Sequence, residues 1–136
     1  MLRTFAVLAA AASLLGSATA IAGAQQEPTQ PASEGCNYEL SAPSVVNVSG
    51  TDMVTATLDV GACDGATTFE TAACIQLQGA DGAGQCTQGR GILPAQVFFQ
   101  PYRPGGTYIA TGRGCASTGN PPQTVCQENG PLIATL

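Results

Sequence analysis

Apolar and polar residues alternate along much of the chain with the two-residue period of half-buried β-strands. The clearest run is TDMVTATLDV (residues 51–60), where Val54, Ala56, Leu58 and Val60 share one face. Shorter runs with the same period are SVVNV, CIQLQ, AQVFFQ, TYIATG and PLIATL, separated by turn segments such as GADGAG and STGNPPQ. The pattern shows almost no helical periodicity. It predicts about six or seven short strands that form an antiparallel β-sandwich.

Within AQVFFQ, the alternation places Phe98 on the opposite face of the strand from its two neighbours. Val97 and Phe99 fall on the inward face, and Phe98 falls on the other. Phe98 is therefore either exposed or covered by a second layer.

The segment RPGGTYIATG resembles the tyrosine corner of fibronectin type III and other immunoglobulin-like domains. In that corner, a Pro-Gly turn leads into a strand whose early tyrosine packs against the turn and hydrogen-bonds to it. The resemblance implies that Pro104 and Gly105 form the turn and that Tyr108 is the corner tyrosine. Two features depart from the antibody pattern: the chain has no tryptophan, and Cys115 follows Tyr108 by seven residues instead of two.

The N-terminus has the layout of a secretory signal peptide. Arg3 precedes an apolar run from Phe5 to Leu15, and small-residue sites follow at Ala18–Ala20 and Ala22–Ala24. We expect cleavage after Ala24, with Ala20 as the other candidate, and a secreted or envelope location. A membrane anchor is the rival interpretation, but Ser, Thr and Gly dilute the second half of the run. Residues 25–35 then form a disordered polar leader, and residues 36–136 form a single domain.

Six cysteines in a short exported chain predict three disulfides. The spacing lacks the close pairs of a zinc site. Turn positions favour sequential pairing: Cys74 with Cys86 across GADGAG, Cys115 with Cys126 across NPP, and Cys36 with Cys63 across Ser49-Gly50. The last pairing sets Val48 opposite Thr51 and mixes the two faces, a slip that a bulge near Pro43 could correct. The other connectivities remain open at this point.

Charge and composition limit the partners. The chain has nine acidic residues and four basic ones, all of the latter arginine, and loss of residues 1–24 would remove Arg3 and change the net charge from −5 to −6. Nucleic acid and anionic lipid are poor partners for such a chain. We expect no membrane insertion after signal cleavage. The expected partner is another protein or a small apolar ligand, and the oligomeric state stays open.

Side-chain chemistry argues against an enzyme. With no histidine and no lysine, the usual bases for nucleophilic catalysis are missing, and bridged cysteines are not nucleophiles. A carboxylate pair could still act as in glycosidases, but no spacing selects one among seven carboxylates: Glu39, Asp52, Asp59, Asp64, Glu70, Asp81 and Glu128. Asp59, Asp64 and Asp81 lie in or beside Gly-rich segments without the dense pattern of a calcium loop. We expect no catalytic residue, metal or cofactor.

The remaining hypotheses concern binding. Residues 25–89 hold eight acids and no base, whereas Arg90, Arg103 and Arg113 follow with one acid, Glu128. This asymmetry indicates either cross-strand ion pairing or a docking surface. Since Arg and Tyr are enriched in binding hot spots, the predicted contact patch is Phe98, Tyr102, Arg103 and Arg113.

We expect an exported, non-catalytic β-sandwich that acts by protein contact. The alternatives are a small-molecule carrier, by analogy with acidic immunoglobulin-like chromophore carriers, and a carboxylate-based hydrolase. The chain as a whole, through its signal peptide, cysteine layout and PYRPGGTY…GRGC segment, resembles small six-cysteine exported proteins of actinobacteria. That resemblance implies export and no particular activity.

Overall fold

A computed structural model describes residues 35–136, and these contain eight β-strands and no helix. The strands are β1 (Gly35–Leu40), β2 (Ser44–Val48), β3 (Thr51–Asp64), β4 (Ala66–Leu77), β5 (Gln85–Arg90), β6 (Ala95–Phe99), β7 (Thr107–Thr118) and β8 (Gln123–Thr135). The predicted signal peptide and all but the last residue of the predicted leader lie outside the described residues. Gly35, which was assigned to the leader, instead opens β1.

The strands form two antiparallel sheets. In the first sheet, β3 is central. β1 and β2 pair one after the other with one edge of β3, and β6 pairs with its opposite edge. The second sheet has the order β5-β4-β7-β8. If β1 and β2 count as one interrupted edge strand, seven strands remain, and the chain crosses between sheets after β3, β5 and β6. The fold is the predicted immunoglobulin-like antiparallel sandwich.

The interrupted edge strand confines the face mixing that the sequence raised to β2. Val48 does lie opposite Thr51 across a two-residue turn whose Ser49 and Gly50 both have positive φ. β1 and β2 are separated at Ser41–Pro43, the place where a bulge was predicted, and their pairing with β3 differs by one residue across this break. A second irregularity, where Gly61 and Ala62 together face Asn37, restores the register and brings Cys36 opposite Cys63.

Inward-facing residues of both sheets form one core. Val54, Ala56 and Leu58 are fully buried, as their alternation predicts, and they meet Ile75 and Tyr108 of the second sheet. At each of the two open sides of the sandwich, an amide side chain of the second sheet donates a hydrogen bond to a backbone carbonyl group on the side of the first sheet. Asn129 Nδ2 donates to the carbonyl oxygen of Tyr38 at 2.7 Å on the β1–β8 side. Gln85 Nε2 donates to the carbonyl oxygen of Gln100 at 2.7 Å on the β5–β6 side.

Two glycines on the inward face of β7 let the sheets approach closely. A Cβ on Gly112 would lie 2.8 Å from Cδ1 of Leu58. A Cβ on Gly114 would overlap Cδ1, Cε1 and Cζ of Tyr38, so the tyrosine ring packs directly on the β7 backbone. The hydroxyl of Tyr38 lies 3.0 Å from Oγ1 of the buried Thr68. Sequence alternation gives no sign that glycine is required here.

The disulfides are Cys36–Cys63, Cys74–Cys86 and Cys115–Cys126, the sequential pairs. Each joins residues directly opposite one another on neighbouring strands, with Cα atoms 4.0–4.1 Å apart. One bridge lies within the first sheet, between β1 and β3. The other two tie the edge strands β5 and β8 to the central strands of the second sheet.

Tyr108 makes the corner interaction that the RPGGTY segment predicts. Its side chain is fully buried, and its hydroxyl accepts a hydrogen bond of 2.8 Å from the backbone N–H of Arg103. Its ring packs edge-on against Phe99, with centroids 5.5 Å apart. The turn at Pro104 and Gly105 is held by this contact, and Gly105 has the positive φ of 78° that favours glycine.

Replacing Tyr108 by phenylalanine tests the corner. Since the change leaves the Arg103 N–H without this acceptor, we expect the free energy of unfolding to fall by about 1–2 kcal/mol. Urea denaturation of both proteins measures the loss. Tyr102→Phe is the control, because Tyr102 packs on Tyr108 through its ring, with centroids 6.4 Å apart. Equal stability of Tyr108→Phe and the native protein would contradict the assignment of the corner.

Candidate functional site

The structure does not bring the predicted contact patch together. Phe98 lies on the outer face of the first sheet, 39% exposed, beside Thr55 in the register. Arg113 lies on the outer face of the second sheet, opposite Ala72 and Glu128. These two faces point away from each other across the core. Phe98 and Arg113 therefore cannot belong to one flat surface.

Tyr102 and Arg103 occupy a third location, the corner between β6 and β7. The Tyr102 ring is half-buried against Tyr108, and the backbone of Arg103 is bound by the Tyr108 hydroxyl. The main contribution of both residues within the described domain is to the corner. Only the exposed Arg103 side chain is available there to a partner.

Charge is divided between the two sheets. The second sheet carries two arginines and two glutamates: Arg113 lies 3.2 Å from Glu128 through Nε and Oε1, and Arg90 lies opposite Glu70 in the register. Both members of the Arg113–Glu128 pair are well exposed, at 57% and 73%, so the pair contributes little to stability. The strands of the first sheet carry four acids and no base: Glu39, Asp52, Asp59 and Asp64.

The seven aspartate and glutamate side chains of residues 35–136 are all exposed. No group of three or more metal-ligating side chains occurs among these residues. Glu39 and Asp59 lie directly opposite each other, but on the exposed outer face of the first sheet and not in a cleft. The described residues also contain no helix long and apolar enough to cross a membrane.

Among residues 35–136, three large apolar side chains are at least 62% exposed: Ile133 of β8, and two in a turn that lies outside the strands predicted from the sequence. Ile92 is 71% exposed and Leu93 is 62% exposed, in the turn between β5 and β6. Phe69, 43% exposed, lies beside this turn, since the N–H of Gly91 donates to the carbonyl oxygen of Phe69 at 2.9 Å. We call these three residues, Phe69, Ile92 and Leu93, the apolar tip.

Hydrogen bonds hold the main chain of the turn that carries Ile92 and Leu93. Oγ1 of the buried Thr71 donates to the carbonyl oxygen of Leu93 at 2.9 Å, and the N–H of Leu93 donates to the carbonyl oxygen of Arg90 at 3.2 Å. Gly89 lets the turn fold back closely, because a Cβ there would lie 2.5 Å from Oγ1 of Thr71. The main chain is thus held in place while the side chains of Ile92 and Leu93 project into solvent.

One signal in the sequence could have found the tip. In GRGILPAQ, two large apolar residues stand between a glycine and a proline, where a turn is expected to be polar. Phe69 gave no comparable signal. It occupies an irregular position of β4, since the register with β7 shifts between Thr68 and Glu70.

A pocket opens at the other end of the domain, beneath the β4–β5 hairpin loop. It has a volume of about 250 Å³, and its lining includes Leu77, Phe99, two glutamine side chains (Gln76 and Gln85) and the carboxylate-bearing Asp81. We call it the hairpin pocket. Its lining is mixed, whereas the carrier hypothesis expects a mainly apolar one, and it holds a single carboxylate, whereas glycosidase chemistry needs a pair.

Comparison with known proteins identifies no relative. No family model, no curated protein and no solved structure matches the chain. The function must therefore be argued from the residues and surfaces described above.

Proposed function

We propose that this chain is an exported, non-catalytic β-sandwich protein that acts by binding another protein through the apolar tip. The observation that carries the proposal is the exposure of Ile92 and Leu93, at 71% and 62%, on a turn whose backbone is held by hydrogen bonds. A rigid turn loses little conformational freedom on binding, which favours affinity. Three disulfides in a small domain are typical of an extracellular protein and support export.

The chemistry of the partner follows from the surroundings of the tip. The turn lies at the end of the sandwich where β3 passes into β4, because Ala95 pairs with Leu58 and Arg90 with Glu70. Asp59 and Asp64 lie on β3 towards this same end, and Glu70 and Arg90 lie opposite each other beside the turn, so these residues supply three acids and one base. The complementary surface is an apolar cleft with lysine or arginine at its rim. Binding should therefore weaken as the ionic strength rises.

The tip is expected to matter for binding and not for folding. In the double variant Ile92→Ser/Leu93→Ser, the free energy of unfolding should change by less than about 0.5 kcal/mol, because both side chains are mostly exposed. Affinity for the partner should fall at least about tenfold, since each side chain would lose a buried apolar contact. Val48→Ser is the matched control, an exposed apolar residue beside the β2–β3 turn at the other end of β3.

The partner can be sought by placing a photo-crosslinking residue at position 92 and, as a reference, at the exposed position 111 of β7. Proteins that crosslink only from position 92 in the culture medium or envelope fraction are purified and titrated against the native protein and both variants. Equal affinity of Ile92→Ser/Leu93→Ser and the native protein would overturn the proposal. Sedimentation that shows a dimer sensitive to the double variant would also overturn it, since the tip would then bind a second copy.

A further inference from the structure

We infer that the hairpin pocket is a second binding site, which takes a small organic amine with an apolar body. This site goes beyond the proposed protein contact and does not depend on it. The pocket lies beside the β4–β5 loop, and the apolar tip lies at the opposite end of β5.

The apolar part of such a ligand would meet Leu77 and Phe99. Both residues line the pocket, and Phe99 is supported from behind by its edge-on contact with Tyr108, 5.5 Å between centroids. Leu77 lies opposite Tyr108 in the β4–β7 register. Leu77 and Phe99 are therefore both next to Tyr108, the buried residue of the corner. This wall of the pocket is therefore a rigid apolar surface that includes an aromatic ring.

The polar part of the lining carries a negative charge. Asp81 is the only charged residue that lines the pocket, and no arginine lines it. One N–H of each amide in the lining is already used: Gln76 Nε2 donates to the carbonyl oxygen of Gly82 at 2.8 Å, and Gln85 Nε2 donates to that of Gln100 at 2.7 Å. The negative charge of Asp81, with Gln76 Oε1 as a further acceptor, favours a cationic, hydrogen-donating group in the ligand.

Glycine conformation and one side-chain hydrogen bond define the shape of the loop that carries Asp81. Gly79, Gly82 and Gly84 all have positive φ, and a Cβ on Gly84 would overlap the carbonyl group of Ile75. The hydrogen bond from Gln76 to Gly82 ties the loop to β4. Little ordering of the loop is then required on binding, which favours affinity for a small ligand.

The volume limits the ligand to a small molecule. About 250 Å³ is below the roughly 300–1,000 Å³ of pockets for drug-sized ligands. A primary amine on a single ring with a short linker fits this limit. Phenethylamine is a suitable probe, and 2-phenylethanol and phenylacetate have nearly the same apolar body with a neutral and an anionic group.

The test is a titration of the oxidised, isotope-labelled protein with each probe, followed by backbone amide NMR at neutral pH. Phenethylamine is expected to shift the resonances of residues 79–85 in a saturable way, 2-phenylethanol more weakly, and phenylacetate least. Asp81→Asn should weaken phenethylamine binding about fivefold, the effect of losing one partly exposed ion pair. Glu39→Gln is the charge-matched control, because it removes one negative charge from the outer face of the first sheet, outside the pocket, and should leave the affinity unchanged.

Three results would each overturn the inference. The first is the absence of saturable shifts in the loop with phenethylamine up to its solubility limit. The second is equal affinity of Asp81→Asn and the native protein, and the third is phenylacetate binding as tightly as phenethylamine. Gly84→Ala adds a separate check, because displacement of the loop should remove binding even though Asp81 is retained. Failure here would leave the apolar tip untouched, since none of these variants alters it.

Discussion

Reduction of the three disulfides is expected to unfold the protein at 37 °C. The bridges close separations of 27, 12 and 11 residues, for which the chain-entropy relation gives about 3.6, 2.8 and 2.8 kcal/mol. Their sum, about 9 kcal/mol, is comparable with the total stability of about 5–15 kcal/mol of a typical domain. Thermal unfolding followed by circular dichroism, with and without a phosphine reductant, measures the effect. An unchanged melting temperature after complete reduction would contradict a structural role for the bridges.

Individual bridges should differ in the order of their loop lengths. Replacing both members of Cys36–Cys63 by alanine is expected to cost the most, because its loop is the longest. Cys115–Cys126 should cost less, since its loop is short, whereas burial is alike: one cysteine of each bridge is buried and the other is exposed. Urea denaturation of the two double variants, side by side, gives the comparison. The opposite order would argue that packing, and not chain entropy, dominates the contribution of each bridge.

Replacing Gly114 by alanine is expected to destabilise the domain by about 3 kcal/mol or more, at the upper end of overpacking effects. The added Cβ would overlap the Tyr38 ring, and neither group can move freely, because Gly114 belongs to the central strand β7 and Tyr38 is buried. For a domain of this size, a loss of about 3 kcal/mol should lower the melting temperature by roughly 12–24 °C. Thr111→Ala, at an exposed position of the same strand, is the control and should change little.

A double-mutant cycle identifies the cause of the Gly114→Ala effect. If the overlap with the Tyr38 ring is responsible, Gly114→Ala should cost much less in a Tyr38→Val background, where the ring is absent. Additive losses in the double variant would contradict this explanation and indicate that the β7 backbone itself requires glycine.

Much of the fold could be predicted from local signals. The alternation of TDMVTATLDV predicted the buried Val54, Ala56 and Leu58, because period-two burial is a property of a single strand. The turn positions predicted the cysteine pairs, because residues that flank a hairpin turn symmetrically face each other. The RPGGTY segment predicted the corner contact of Tyr108, which spans only five residues.

The surfaces could not be predicted in the same way. The proposed patch grouped Phe98 with Arg113 by proximity in the chain and by residue type, but the chain crosses from one sheet to the other between them. Nor does alternation tell how far a turn projects, so the exposure of Ile92 and Leu93 was missed. The hairpin pocket joins Phe99 of β6 to the β4–β5 loop, and no local pattern relates these segments.

The sequence by itself indicated most of the strands and turns, a preferred disulfide pairing and the inward residues of β3, since these depend on periodicity and on neighbours within a hairpin. Tertiary structure decided which strands form which sheet, and therefore which side chains share a surface. It also decided where glycine is indispensable: Gly114 is required because Tyr38, 76 residues earlier in the chain, lies on its backbone. Contacts of this kind arise only when two sheets pack, since the space available to a residue is then set by distant parts of the chain.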